Sequence, residues 1–268
     1  DYTKDDCFAF HDAIRQAVPP ILTVIHKERK QKLGYEVLRP WDMDVDVENK
    51  PARKPFTDIP DFAAKTIACF TEIKPYYGEC LKLLADNGYW DLESRIGKAP
   101  GGYNNPLYES NVPFIFMNAA GVLRDVETLV HEGGHAIHSI VSANLPLVEF
   151  KDVPSEVAEL ASMSMELISM EHWHYYFEDE EALKRAKRTQ LEGILDVLPW
   201  IAIIDKFQHW LYENPTHTAE QREKAWVHIL DQFEANDVVD WSGLEHMREC
   251  KWQKQLHIYE VPFYYIEY

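Results

Sequence analysis

The 268-residue chain carries 45 acidic against 27 basic side chains, a formal net charge of −18, and 46% hydrophobic residues. That content suffices for one large domain with a substantial core, and the sign of the charge argues against a polyphosphate-binding surface and with it a nucleic-acid partner. No apolar run reads as a membrane span or a signal peptide, and Cys7, Cys69, Cys80 and Cys250 form no C-x-x-C pair, so reduced thiols in the cytoplasm are expected rather than a disulfide framework.

Taken in chain order, Asp42 to Glu48 alternates acidic and apolar residues with period two and predicts a half-buried strand. It lacks the glycine and the twelfth-position glutamate of a calcium loop. Asp61 to Ala85 predicts a helix stopped at Asn87-Gly88 and kinked or divided at Pro75. Gly101 and Gly102 let the chain come close to its surroundings, as a substrate-lining loop or a tight turn. Val112 to Asn118 is apolar, branched and aromatic, bounded by Asn111 and Gly121, and predicts a strand. Such a strand could be an edge that pairs with an extended peptide or an ordinary core strand. Gly101, Gly102 and Tyr103, with Phe114 and Met117 of the strand, are the candidate substrate-binding residues.

From Asp125 to Val141 the apolar residues Val126, Leu129, Val130, Ile137, Ile140 and Val141 recur at three- and four-residue spacing, the stripe of an amphipathic helix. Pro154 opens a second helix running to about Tyr176. His172 and His174 stand two apart, face different directions and suit packing better than metal binding. Thr218-Ala219-Glu220-Gln221 and Ser242-Gly243-Leu244-Glu245 are capping boxes opening helices toward about Glu234 and Gln255. The architecture expected is mainly α with a small β-sheet.

The chemistry is named by His131-Glu132-Gly133-Gly134-His135. Histidines at i and i+4 of a helix project from one face and can share an ion, while the glutamate between them stands beside that ion. Two imidazoles holding zinc, with a glutamate to take a proton from its water, is the layout of a zinc hydrolase. Gly133 and Gly134 would each cost roughly 1 kcal/mol in mid-helix relative to alanine, so a close approach by another backbone or a substrate is expected there. A three-ligand catalytic zinc needs one more donor. Glu159, Ser162 and Glu166 share one face of the second helix; Glu159 could complete the site across a helix–helix contact, and Glu166 could hydrogen-bond a ligand histidine from behind. Asp152 and Glu156 are rival ligands that spacing alone leaves open.

Gly97-Lys98-Ala99-Pro100-Gly101-Gly102-Tyr103, Val112-Pro113-Phe114-Ile115-Phe116-Met117-Asn118 and Thr128 to His138 together resemble the catalytic core of the M3 metallopeptidases, most closely the oligoendopeptidase F branch. The resemblance implies a zincin-type helical fold and a third zinc ligand in a segment of the form E-x-x-S-x-x-x-E, which matches Glu159 to Glu166 and selects Glu159 over Asp152. Leu38-Arg39-Pro40-Trp41-Asp42 and Asn214-Pro215-Thr216-His217-Thr218 are similar to further segments of the branch. His257 to Tyr268 is similar to its histidine- and tyrosine-rich loop, although Val261-Pro262-Phe263 is poorer in glycine. In the family that loop closes over substrate, which implies oxyanion donors in His257, Tyr265 and Tyr268, with Tyr264 as an alternative to Tyr265. It also implies that residues 1–268 are a single catalytic domain within a longer polypeptide having a helical N-terminal region and further C-terminal helices.

The expectation is therefore a cytoplasmic zinc endopeptidase, one Zn2+ per chain, held by His131, His135 and Glu159, with Glu132 as general base. Its partners would be short peptides, a size restriction implied by the family, with no membrane and no nucleic acid; the sequence assigns no oligomeric state. Two other classes are compatible with parts of the pattern. A catalytically silent zinc-binding scaffold would not need Glu132 or the tyrosines, and a metal-free intracellular peptide-binding module would need only the strand and a groove.

Overall fold

The computed structural model describes residues 2–235 and 238–268. In chain order the elements are α1 (Lys4–Leu33), α2 (Ile59–Ile73), α3 (Pro75–Asn87), β1 (Trp90–Glu93), β2 (Tyr103–Asn105), β3 (Phe114–Ala119), α4 (Leu123–Ser142), α5 (Ser155–Met170), α6 (Glu180–Glu213), α7 (Ala219–Leu230), α8 (Glu245–Glu249) and α9 (His257–Glu260), with short 3-10 turns between some of them. Within the expected 1–268 domain, contacts gather in two compact units: Ala52–Gln190, and the residues up to Pro51 together with Leu191–Tyr268.

The unit Ala52–Gln190 is built from α2 to α5, the sheet and the start of α6. Pro75 divides the first predicted helix. Lys74 is extended (φ −160°) and caps both α2 and α3, with Pro75 at the first turn of α3, where a missing N–H costs nothing. Gly78 makes the tight packing between the two helices possible, since a Cβ there would fall 1.9 Å from Thr71 Oγ1. The three strands run in the order β1-β3-β2, with β1 parallel and β2 antiparallel to β3. The predicted strand is thus the central one, and the short β2 takes an outer place. Ile115 and Met117 of β3 enter a core with Phe62, Phe70, Leu81 and Leu129.

Lys98 ties the sheet together. Its side chain is only 2% exposed and ion-paired with Asp91, and its ammonium donates to the carbonyls of Asp91, Glu93 and Met117 where β1 is irregular against β3. The start of α4 is fixed in a comparable way. One buried carboxylate oxygen of Asp125 accepts the amides of Ala120, Gly121 and Val122 at 2.7–2.9 Å, fixing the turn that leads into the helix. From there α4 buries Val126, Leu129, Val130 and Ile137 as the apolar stripe predicts, although Val141 is exposed. The second predicted helix ends earlier than expected: α5 stops at Met170 and a 3-10 turn follows over Trp173–Tyr175.

In the other unit, Phe207, Trp226, Phe233 and Ile204 lie at the centre of an aromatic-rich core. Thr218 and Gln221 form the predicted capping box on α7. Two readings are corrected. Asp42 to Glu48 is no strand, because Pro40 starts a 3-10 turn over Pro40–Asp44 and the buried Asp42 carboxylate accepts the Arg39 amide at 2.8 Å. Ser242 does not cap a long helix; its side chain turns to Asp240, and α8 is only Glu245–Glu249 before a further turn over Lys251–Lys254. The two longest helices, α1 and α6, contain Pro19, Pro20 and Pro199 in their interiors and are not among the predicted elements.

Candidate active site

Helices α4 and α5 meet at a glycine. A Cβ on Gly134 would lie 2.7 Å from Ser162 Cα and 2.9 Å from the Ala161 carbonyl oxygen, so the close approach expected at the glycine pair is made by the backbone of α5. A Cβ on Gly133 would instead meet the Phe70 ring at 2.9 Å. Because His131 and His135 bracket Gly134 along α4, and Glu159 stands one turn before Ser162 on α5, this approach brings the three side chains together. His131 Nε2 lies 3.3 Å and His135 Nε2 3.8 Å from Glu159 Oε2. One ligand atom from each of the three falls within 4.8 Å of the others. The imidazoles are nearly perpendicular, with ring centroids 4.8 Å apart. Glu159 is 2% exposed and accepts a hydrogen bond from Ser162 Oγ at 3.1 Å, whereas the rivals Asp152 and Glu156 are exposed.

A second carboxylate orients the first histidine. Glu166 Oε1 lies 2.7 Å from His131 Nδ1, and Glu166 Oε2 accepts from Gln190 Nε2 at 2.7 Å. An imidazole held at Nδ1 by a carboxylate presents Nε2 to whatever lies on the far side. Burial works against the His131 imidazolium, yet hydrogen bonds to Glu159 and Glu166 outweigh it and carry its pKa up to about 10. His135, pushed by burial and by its neighbour His131, falls to about 4. Glu132 is 6% exposed, and burial raises its carboxyl to about 7, partly opposed by the charge of His131. The backbone of Asn104, in the outer strand β2, also favours the Glu132 carboxylate.

Two imidazoles and a carboxylate, one of the imidazoles held from behind by a second carboxylate, are the donor chemistry of a catalytic zinc, so these residues fit that ion. Gln190 was not legible in advance because it lies in another helix and belongs to no motif. The clamp of Asp125 on α4 was hidden as well, since Val122, the residue before the helix, has no capping side chain.

The candidate substrate residues divide. Gly101 has φ +99°, the left-handed conformation of a tight turn, and Gly102 packs on Thr128 of α4, where a Cβ would meet Thr128 Cγ2 at 3.1 Å. Tyr103 in β2 is 51% exposed and stacks on Phe116 at 5.0 Å. Phe114 is half-buried. Met117 is a correction: at 2% exposure it points into the hydrophobic core, because alternation along the central strand puts Phe114 and Phe116 on the opposite face. Phe116 is the residue on the Tyr103 side.

His257, Tyr265 and Tyr268 belong to the other unit, where they gather around one another. The His257 ring centroid lies 5.1 Å from that of Tyr265 and 6.3 Å from that of Tyr268, and the two tyrosine rings are 5.3 Å apart. Tyr264 is also beside His257, at 5.7 Å. Gln255 Nε2 lies 2.7 Å from His257 Nδ1.

The whole chain, residues 1–268, matches the sequence profile of peptidase family M3. It is 32% identical over 165 residues to an oligoendopeptidase F homolog of Lactococcus lactis subsp. lactis (strain IL1403), a match that covers 60% of this chain and 27% of that protein. It is 25% identical over 251 residues to the oligopeptidase PepF of Bacillus subtilis (strain 168), covering 88% of this chain and 37% of that one. Among solved structures, PZ peptidase A with an inhibitor superposes with a TM-score of 0.89 at 29% identity, over 100% of this chain and 47% of that one. A putative oligoendopeptidase F from Bacillus anthracis str. Ames gives a TM-score of 0.84 at 27% identity, covering 100% and 44%. The chain thus spans less than half the length of each of these proteins.

Proposed function

Since the chain belongs to peptidase family M3, we propose that it is the catalytic core of a zinc-dependent endopeptidase that hydrolyses oligopeptides. The observation that carries this reading is the convergence of His131, His135 and Glu159 within 4.8 Å across two helices that Gly134 allows to touch. Those three residues would hold the ion. Bound there, zinc would polarise a scissile carbonyl and lower the pKa of its water to ~7.

The remaining work falls to the chain's own groups. Glu132, on the same helix turn as the ligands, takes the proton that the attacking water gives up and returns it to the departing amine. Glu166, backed by Gln190, keeps the His131 ring in one tautomer. The outer strand β2, with Tyr103 exposed on it, is the available backbone for an extended peptide, an interaction that depends little on the peptide's side chains. His257, Tyr265 and Tyr268 are assigned to the oxyanion on the family resemblance. The peptidase names of the relatives support short peptides as substrates. The four cysteines are free thiols, in keeping with a cytoplasmic location, and among the described residues no helix is long and apolar enough to cross a membrane.

The experiment separates metal from chemistry. Glu132→Gln keeps shape and polarity but removes the base, so bound zinc should be retained while hydrolysis of a quenched fluorescent peptide falls by about 10² or more. A variant with zinc bound and activity within tenfold of wild type would remove Glu132 from the reaction.

A further inference from the structure

Outside the candidate active site, a second set of side chains of metal-ligating type, Cys7, Asp205 and His209, lies between α1 and the later part of α6, all within one compact unit. Cys7 and His11 are an i, i+4 pair on α1; Asp205 and His209 are an i, i+4 pair on α6. Ligand atoms of Cys7, Asp205 and His209 lie within 4.8 Å of one another. His11 Nε2 is 2.8 Å and His209 Nε2 3.5 Å from Asp205 Oδ2.

Two features make this more than a polar contact. Asp205 and His11 are essentially fully buried, at 1% and 0% exposure, yet Asp205 Oδ1 and His11 Nδ1 have no hydrogen-bond partner. Among the described residues both ion pairs of Asp205 are with histidines. A buried carboxylate with one oxygen unpaired is costly, and a bound cation would relieve that cost. Aromatic rings pack on the histidines: the Phe8 ring lies against His11 and His209 at 5.1 and 5.3 Å, and Phe263 against His209 at 4.8 Å, while the ammonium groups of Lys4 and Lys206 lie 5.1 and 5.9 Å from the Phe8 ring.

We propose that Cys7, Asp205 and His209 bind a second divalent ion, with the character of zinc, which joins α1 to α6. Thiolate, carboxylate and neutral imidazole are zinc donors, and a divalent cation would offset the charge of one thiolate and one carboxylate. Binding releases the thiol proton of Cys7 to solvent. His11 then acts from behind the ligands, holding Asp205 as Glu166 holds His131. The ion is structural: three protein donors from two helices clamp them, and the metal content of the chain rises from one to two.

The sulfur makes this site separable from the proposed active site, whose donors are nitrogen and oxygen only. Metal-free protein is titrated with Co2+, and the near-ultraviolet thiolate-to-cobalt charge-transfer band is followed. Wild type should bind two cobalt ions and show the band; His135→Ala should keep the band and lose the other ion; Cys7→Ser should lose the band and one ion while retaining its helical circular dichroism. Cys250, which lies beside the exposed His246, is the control, and Cys250→Ser should leave the band unchanged. Wild type saturated with cobalt and showing no sulfur band would overturn the proposal, whatever the variants do. So would a band that survives Cys7→Ser or disappears with Cys250→Ser.

Discussion

The Cα of Ser162 occupies the place next to which a side chain on Gly134 would have to grow, 2.7 Å from the Cβ position. That contact bears on how far Glu159 on one helix stands from His131 and His135 on the other. Alanine at Gly134 would gain ~1 kcal/mol of helix propensity. It would also meet backbone that has no rotamer to escape into, and overpacking of that kind costs about 1–3 kcal/mol. Gly134→Ala should therefore lower the melting temperature and weaken zinc binding in a chelator competition. Gly133→Ala, which meets the Phe70 ring instead, should leave zinc affinity much closer to wild type. Equal zinc affinities in wild type and Gly134→Ala would break the link between this contact and the site.

The pair Glu166 and Gln190 should act on metal affinity without being ligands. Truncating a partner that holds a ligand histidine costs about 10–100-fold in affinity. Glu166→Ala should fall in that range, and Gln190→Ala should cost less because it removes only the support of Glu166. Zinc dissociation constants for the two variants check the order. A larger loss in Gln190→Ala would reverse it.

How much of this was legible in the sequence varies with the physics of each feature. The helical register of α4 and α5 was readable because apolar spacing and the i, i+4 and i, i+7 relations are local, and the same periodicity puts Glu166 on the face of α5 that carries Glu159. Which carboxylate lies beside the histidines was not settled by spacing; burial of Glu159 against exposed Asp152 and Glu156 is a tertiary fact. Strand Phe114–Ala119 could be found but not placed, since central or outer position depends on partners as distant as Trp90 and Tyr103. The inward turn of Met117 follows from that placement. Helix α1 was obscured by Pro19-Pro20, which remove two backbone donors from its interior, and α6 by Gly193 and Pro199.

Without metal, stability should depend on pH through the histidines. His131 has a folded pKa of about 10, above its ordinary 6.5, so its contribution is complete below pH 6.5 and is lost as pH rises through 10. Glu132, raised from 4.5 to about 7, has the same sign, and its contribution is already lost above pH 7. His135, lowered from 6.5 to about 4, has the opposite sign: its contribution is present above pH 6.5 and lost as pH falls through 4. Denaturant unfolding of the metal-free protein should therefore show stability decreasing between pH 7 and 10. His131→Gln should flatten that slope, and an unchanged slope would contradict the assignment.

The aromatic cluster of His257, Tyr265 and Tyr268 is testable by its effect on turnover. A donor to charge that exists only in the transition state changes kcat more than KM. If the proposed hydrolysis occurs, Tyr268→Phe should lower kcat by roughly 10²-fold with KM little altered, and Tyr265→Phe should behave likewise. Phenylalanine preserves ring packing, so wild-type kcat in both variants would leave the cluster with a structural role alone.

The central claim is that His131, His135 and Glu159 hold a zinc ion, and anomalous scattering tests it without recourse to activity. Diffraction data on crystals of the zinc-loaded protein, collected above and below the zinc absorption edge, should give an anomalous difference peak among His131 Nε2, His135 Nε2 and the Glu159 carboxylate, distinct from any at Cys7, Asp205 and His209. The peak should vanish in Glu159→Ala and persist in Asp152→Ala. A zinc-saturated crystal with no peak among those three side chains would contradict the account.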